Sequence, residues 1–310
     1  MSMLLSHAIT EYVNAGKLAR ASSHTINARA RFGGYLVAFT SDIELDQLNP
    51  ELLAQYLAHQ QQRGIADHTY YSYFKHLRAF LQWCIAEELI EKNPLRKFPR
   101  PIVGETARPV LNESQIHELY QILARDKTKF GYRNLTITAL LLGTGIRSSE
   151  CAALHVSDVD TATGYLLVRL GKGKKARPVP ISDTLHKFLW RYLSDYRAQM
   201  LPPRNSAHYN RVGDYLFLND DGAPLAVTGL QTLMRRVLAQ INVRAATHIF
   251  RHTFANEYVR ADGSLEKLRR ILGHVSLETT QQYVHLLPAD LLAHRTDVDP
   301  LDAPLFYFHK

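Results

Sequence analysis

Cysteine is scarce: 310 residues contain only Cys84 and Cys151. Two cysteines fit neither a disulfide framework nor a metal-ligand spacing, and both fall in apolar helical patterns, so they read as reduced core thiols. Long apolar runs are missing too, and no stretch approaches the roughly 18 unbroken apolar residues of a membrane span. The first residues, Met-Ser-Met-Leu-Leu-Ser-His, lack the basic flank and long apolar core of a signal peptide. There is no internal repeat, no low-complexity tract, and no cluster of Asp and Glu suited to a two-metal site. These absences point away from a membrane protein, a secreted disulfide scaffold and a metalloenzyme, and towards a cytoplasmic globular protein.

What is present is positive charge, unevenly spread. The formal net charge is +8. Lys+Arg minus Asp+Glu gives 11 − 9 = +2 for residues 1–100, 24 − 16 = +8 for residues 101–283 and 2 − 4 = −2 for residues 284–310. A basic middle suggests a polyanionic partner, because each phosphate contact releases counterions. Charge alone is weak evidence, since solubility also demands it.

The local patterns predict a mainly helical chain with a small hairpin. Residues 1–98 read as a helical bundle: a helix from about Thr25 to Phe39 with an awkward Gly33-Gly34 pair, one from the Asn49-Pro50-Glu51 start to Arg63 with a stop at Gly64, and one from Asp67 to just before Asn93-Pro94. In the last, Tyr70, Phe74, Leu77, Leu81, Cys84 and Ile85 share one face. Residues 99–108 carry prolines and no periodicity and read as a linker. Asn112, with Gln115 three residues on, opens a second domain over 109–286. There, helices are expected around Leu135–Leu142, Arg147–Leu154, Val227–Ile241, Thr247–Arg260, Leu265–Leu272 and Leu277–Leu286. Tyr165–Leu170 and Arg177–Ile181 form a hairpin around Gly171-Lys172-Gly173-Lys174-Lys175, and Tyr215–Leu218 is a short strand. Residues 287–310 are a short acidic tail with an apolar end.

Five separated elements bring basic groups and one hydroxyl: Arg147, Lys172, His248 with Arg251, His274, and Tyr283. His248 and Arg251 stand three apart on one helical face, and Arg147 and Glu150 share that spacing. A basic cluster with a tyrosine suits phosphoryl transfer. The transition state spreads negative charge over non-bridging oxygens, which planar guanidiniums can clamp. A phenol is a poor nucleophile until a base or cationic field favours its anion, and a hairpin lysine can protonate the leaving oxygen.

Thr-Gly-Ile-Arg-Ser-Ser-Glu, Gly-Lys-Gly-Lys-Lys-Ala-Arg-Pro-Val-Pro, His-Ile-Phe-Arg-His-Thr-Phe-Ala and Leu-Gly-His-Val-Ser-Leu-Glu-Thr-Thr-Gln-Gln-Tyr resemble, in order and spacing, the motifs of the tyrosine recombinase (phage integrase) family. The resemblance covers nearly the whole chain. It implies a SAM-like core-binding domain that binds DNA, followed by an α-rich catalytic domain, closing as a C-shaped clamp on duplex DNA. It further implies that Arg147 and Arg251 bind the scissile phosphate, His274 hydrogen-bonds a phosphate oxygen and His248 helps move the nucleophile's proton. Tyr283 attacks to leave a 3′-phosphotyrosyl link. Lys172 best matches the acid for the 5′-hydroxyl, although Lys174 and Lys175 lie within reach. Glu150 supports the site, and Lys174, Lys175 and Arg177 contact DNA. The implied reaction is site-specific strand exchange through a Holliday junction, with no metal, ATP or other cofactor. The implied assembly is a homotetramer on synapsed double-stranded DNA, monomeric or weakly associated when free, located in the cytoplasm with the nucleoid and away from membranes. The pattern is nearest to Xer-like or mobile-element enzymes, and the resemblance implies that Leu305, Phe306 and Phe308 anchor the tail on a neighbouring subunit, the alternative being packing on its own domain.

Taken singly, each residue has a plain structural explanation. Arg147 can be a salt-bridge partner of Glu150, the lysines a solvated turn, His248 and His274 core histidines, and Tyr283 one of sixteen tyrosines. His155, His252, His285 and Tyr258 have no matched role, and for them the structural explanation stands. The rivals to recombination are a type IB topoisomerase, which rejoins the same strand, and a DNA-binding regulator that never cuts.

Overall fold

A computed structural model describes residues 3–102, 104, 109–160, 163–169, 176–203, 212–274, 276 and 280. The chain divides into two compact units, Met1–Thr106 and Ala107–Lys310.

The first unit is built from α1 (Leu5–Leu18), α2 (Ser23–Thr40), α3 (Pro50–Gln62) and α4 (Asp67–Ala86). The Asn49 side chain caps α3 by accepting from the Leu52 N–H, with Pro50 in the first turn, and Gly64 follows at φ 65. Helix α2 runs unbroken through the glycine pair. Gly33 has a packing reason to be there, since a Cβ on it would lie 2.2 Å from Cγ2 of Ile9 in α1. Helix α1 is not foreseen by the sequence reading: Leu4 precedes it with no side-chain cap, and its first turn has no acid. Helix α4 stops at Ala86, well short of Asn93-Pro94. Glu88 adopts a left-handed φ of 57, and the Leu89 N–H reaches back to the Cys84 carbonyl, which closes the helix before the proline can. Phe74, Leu77, Phe80, Leu81 and Cys84 of α4 are buried against Tyr12, Phe32, Leu53 and Tyr56, while Ile85 is exposed and Tyr70 half-buried.

The second unit begins with α5 (Glu113–Arg125), closed by a reciprocal capping box between Asn112 and Gln115. The long α6 (Lys129–Thr144) is buried along most of its length, because neighbouring helices pack against it from several sides. After α7 (Ser148–Ala152) come β1 (Val159–Asp160), β2 (Tyr165–Val168) and β3 (Arg177–Pro180). They form a three-stranded antiparallel sheet in the order β1-β2-β3, with Tyr165 opposite Pro180 and Val168 opposite Arg177. Helices α8 (Asp183–Arg191), α9 (Val227–Ala239), α10 (His248–Arg260) and α11 (Leu265–Leu272) complete the described core. The sequence reading assigns no element to α8, although Ser182 caps it and Leu185 and Leu189 supply a buried stripe. Around Tyr215–Leu218 there are only isolated bridges, His155 with Tyr215 and Leu218 with Pro224, instead of a strand. The helix expected over 277–286 lies outside the described residues, apart from Thr280.

Both cysteines are free and buried. Burial raises both thiols, Cys84 to about 12, so neither is a ready nucleophile. Among the described residues, no helix is long and apolar enough to cross a membrane.

Candidate active site

Arg147 owes its position to the end of α6. Gly145 closes that helix in the left-handed region at φ 61, and a Cβ there would lie 2.4 Å from Cδ1 of Phe254. The turn buries Ile146 and leaves Arg147 as the cap residue of α7. The Arg147 N–H donates to Oε2 of Glu150 at 2.8 Å, and Nη1 donates to Oε1 at 3.1 Å. The salt bridge that is Arg147's plain explanation therefore exists. It uses one edge of the fork, and the side chain stays 38% exposed. A planar cation held at one edge and open at the other suits an incoming anion.

Glu150 is held from a second side. Arg177 forks onto it, Nη1 to Oε1 at 3.0 Å and Nη2 to Oε2 at 2.9 Å. Burial pushes the Glu150 carboxyl up, but the Arg177 hydrogen bond, the Arg147 N–H and the two guanidinium charges outweigh it and hold the group below its ordinary value. The Nε of Arg177 donates to the Ile271 carbonyl at 2.6 Å. Arg177 is expected among the DNA-contacting cations; the structure instead buries its side chain to 9% exposure and engages it within the unit. The alternation of β3 turns it inward, on the same face as Val179.

Arg251 lies on α10 and is buried. Its Nη1 donates to the Gly145 carbonyl at 2.8 Å, two residues before Arg147, and its Nη2 to the Leu272 carbonyl at 2.9 Å, two residues before His274. One side chain thus ties the Arg147 turn to the His274 turn. Nη2 also lies 2.7 Å from Nε2 of His274. Guanidinium can only donate, so Nε2 accepts, and the neutral ring must carry its proton on Nδ1. That nitrogen sits 2.9 Å from Oγ1 of Thr280, which is fully buried. Thr280 escapes the sequence reading, although it stands only three residues before Tyr283. His248 opens α10 on the surface, its ring 6.4 Å from that of His252. His155, with no assigned role, stacks on Tyr215 at 4.6 Å.

The structure therefore brings Arg147, Glu150, Arg251 and His274 into one hydrogen-bonded neighbourhood. Lys172, Lys174, Lys175 and Tyr283 lie outside the described residues.

A model of the phage integrase family matches residues 109–289, and one of the phage integrase SAM-like domain matches residues 4–99. The chain belongs to the phage integrase family. This is the family of tyrosine recombinases, DNA strand-transferring enzymes. It is 31% identical over 233 residues to the tyrosine recombinase XerC of Bacillus pumilus, covering 74% of each chain. To the tyrosine recombinase XerD of Staphylococcus aureus it is 28% identical over 285 residues, covering 90% of this chain and 93% of the relative. Its fold is similar to that of the Tn1549 transposon integrase in complex with a circular intermediate DNA, with a TM-score of 0.77 at 19% identity over 91% of this chain and 95% of the other. XerA recombinase aligns at a TM-score of 0.51 and 26% identity, over 93% and 96% of the two chains. The mainly helical architecture with its small sheet is thus that of tyrosine recombinases, as the motifs implied.

Proposed function

We propose that this tyrosine recombinase acts at a specific DNA site, where Tyr283 attacks the scissile phosphorus and leaves a 3′-phosphotyrosyl link and a free 5′-hydroxyl. Arg147 and Arg251 hold the non-bridging oxygens, His274 donates to one of them, and His248 assists the phenol proton. Lys172 protonates the departing oxygen, while Lys174 and Lys175 meet neighbouring phosphates. The observation that carries this reading is the Arg251 network, whose bonds to Gly145, Leu272 and His274 draw three separated motifs together. In the reading, a phosphate takes over the Nη2 interaction with His274, and the neutral ring moves its one proton from Nδ1 to Nε2, donating it to the anion while Nδ1 accepts from the Thr280 hydroxyl.

The SAM-like unit of residues 1–98 binds the duplex, joined by the 99–108 linker to the catalytic unit of 109–286, and the 287–310 tail docks on a neighbouring subunit. Four protomers exchange strands through a Holliday junction, in the cytoplasm. The DNA partner is supported by relatives of the same fold: XerH is described bound to a palindromic difH substrate in a post-cleavage complex, and a lambda integrase dimer bound to a COC′ core site.

The test is covalent capture. The full chain is incubated with a pool of nicked duplexes of randomised sequence, and species surviving detergent are sequenced. A recovered consensus with inverted repeats, and cut ends bearing 5′-hydroxyls, is expected. Relaxation of supercoiled plasmid without sequence preference would instead indicate a topoisomerase, and binding without any adduct a regulator.

A further inference from the structure

We propose that Arg177 is a positioning residue, a buried clamp that sets Arg147 and His274 at the correct distance from one phosphate. The inference rests on the reading of Arg147 and His274 as phosphate ligands, and it deepens that reading.

The side chain joins three separate pieces of the unit. It arises from β3, forks onto Glu150 of α7 at 2.9 and 3.0 Å, and donates Nε to the Ile271 carbonyl at 2.6 Å, three residues before His274. The turn at the end of α11 lies directly on it, because a Cβ on Gly273 would come within 3.0 Å of Nη1. Glu150, held from one side by Arg177, holds Arg147 from the other through its backbone N–H and Nη1. The two terminal nitrogens of Arg177 are therefore committed to Glu150 of α7, and its Nε to the last turn of α11. A buried ion pair adds little net stability, because desolvation offsets the attraction. A forked, planar pair does fix orientation, and two acceptors fixed by one rigid group cannot move independently. Misplacing a reacting group by about 1 Å costs roughly 10²-fold in rate, so a clamp of this kind has a direct kinetic consequence.

The 310-residue chain is compared in three forms: wild type, Arg177→Lys, and the neutral pair Arg177→Met with Glu150→Gln, which leaves no lone buried carboxylate. The probe is the duplex recovered by covalent capture, made once with a normal scissile phosphate and once with a methylphosphonate there. The uncharged methylphosphonate has little need of a guanidinium. On the phosphate duplex, the neutral pair should form adduct about 10²-fold more slowly, and Arg177→Lys should remain impaired because a point charge cannot fork. On the methylphosphonate duplex, the gap should narrow to less than about tenfold. DNA affinity and its salt dependence should match wild type. An equal loss on both duplexes would mean a general folding defect and overturn the proposal. So would full activity of the neutral pair, or a salt slope smaller by about one unit, the mark of a direct phosphate contact. Absence of adduct from the wild type on the normal duplex would defeat the parent reading itself.

Discussion

Between residues 3 and 102 the core is aliphatic and aromatic, and Gln60 is the one buried polar side chain among the described residues there. The second unit buries Arg133, Asp158, Arg177, Arg251 and His274 alongside its apolar core. Interior charge is costly to desolvate and returns little stability. Arg133 and Asp158 make local pairs with Asp220 and Arg169, whereas Arg177, Arg251 and His274 converge on the turns that carry Arg147 and His274. On the proposed reading, the contrast separates a unit that binds DNA from one that reacts with it.

The largest effect that would sharpen this contrast lies in the first unit. Phe80 is fully buried and meets Tyr12 edge-on at 5.5 Å, with Phe32 and Trp83 beside it. Phe80→Ala should cost about 3–5 kcal/mol in urea unfolding, from lost burial and an unfilled cavity. The adduct rate per folded molecule should stay unchanged once DNA is saturating. A stable variant with a slow reaction would erase the distinction between the units. Next is Arg251→Met, which should lower adduct formation by about 10²–10³-fold, as expected when one donor to transition-state charge is removed. A stopped time course with labelled duplex reads this directly, and an unimpaired rate would remove Arg251 from the site.

The smallest effect is a pH dependence. Folding lowers the Glu150 carboxyl from an ordinary value of 4.5. Its contribution to stability is therefore complete above that pH and is lost as the pH falls through the folded value. Wild type should lose more stability below pH 4.5 than Glu150→Gln does, in unfolding measured across acid pH. Parallel curves would show that the Arg177–Glu150–Arg147 chain carries no such linkage.

The same contrast explains what the sequence could reveal. Arg147, His248, Arg251 and His274 stand out because each lies beside a local signal: Gly145 ending α6, the three-residue spacing on α10, and Gly273 ending α11. Arg177 reads as another hairpin cation beside Lys174 and Lys175, because its partners, Glu150 and the Ile271 carbonyl, are distant in sequence and only the fold unites them. Thr280 is hidden for the same reason, since its value lies in reaching Nδ1 of His274. In the first unit α1 escapes notice because it has no cap, and its stripe of Leu5, Ala8, Ile9 and Tyr12 becomes a helix face only once α2 packs on it.

The claim on which the rest depends is that the phenol at position 283 forms the bond to DNA. Peptide mass spectrometry of nuclease-trimmed adduct measures this most directly. The expected result is a nucleotide remnant on the peptide containing Tyr283, absent from Tyr283→Phe, which should still bind the duplex with wild-type affinity. A remnant on any other side chain, or an adduct that survives Tyr283→Phe, would contradict the account.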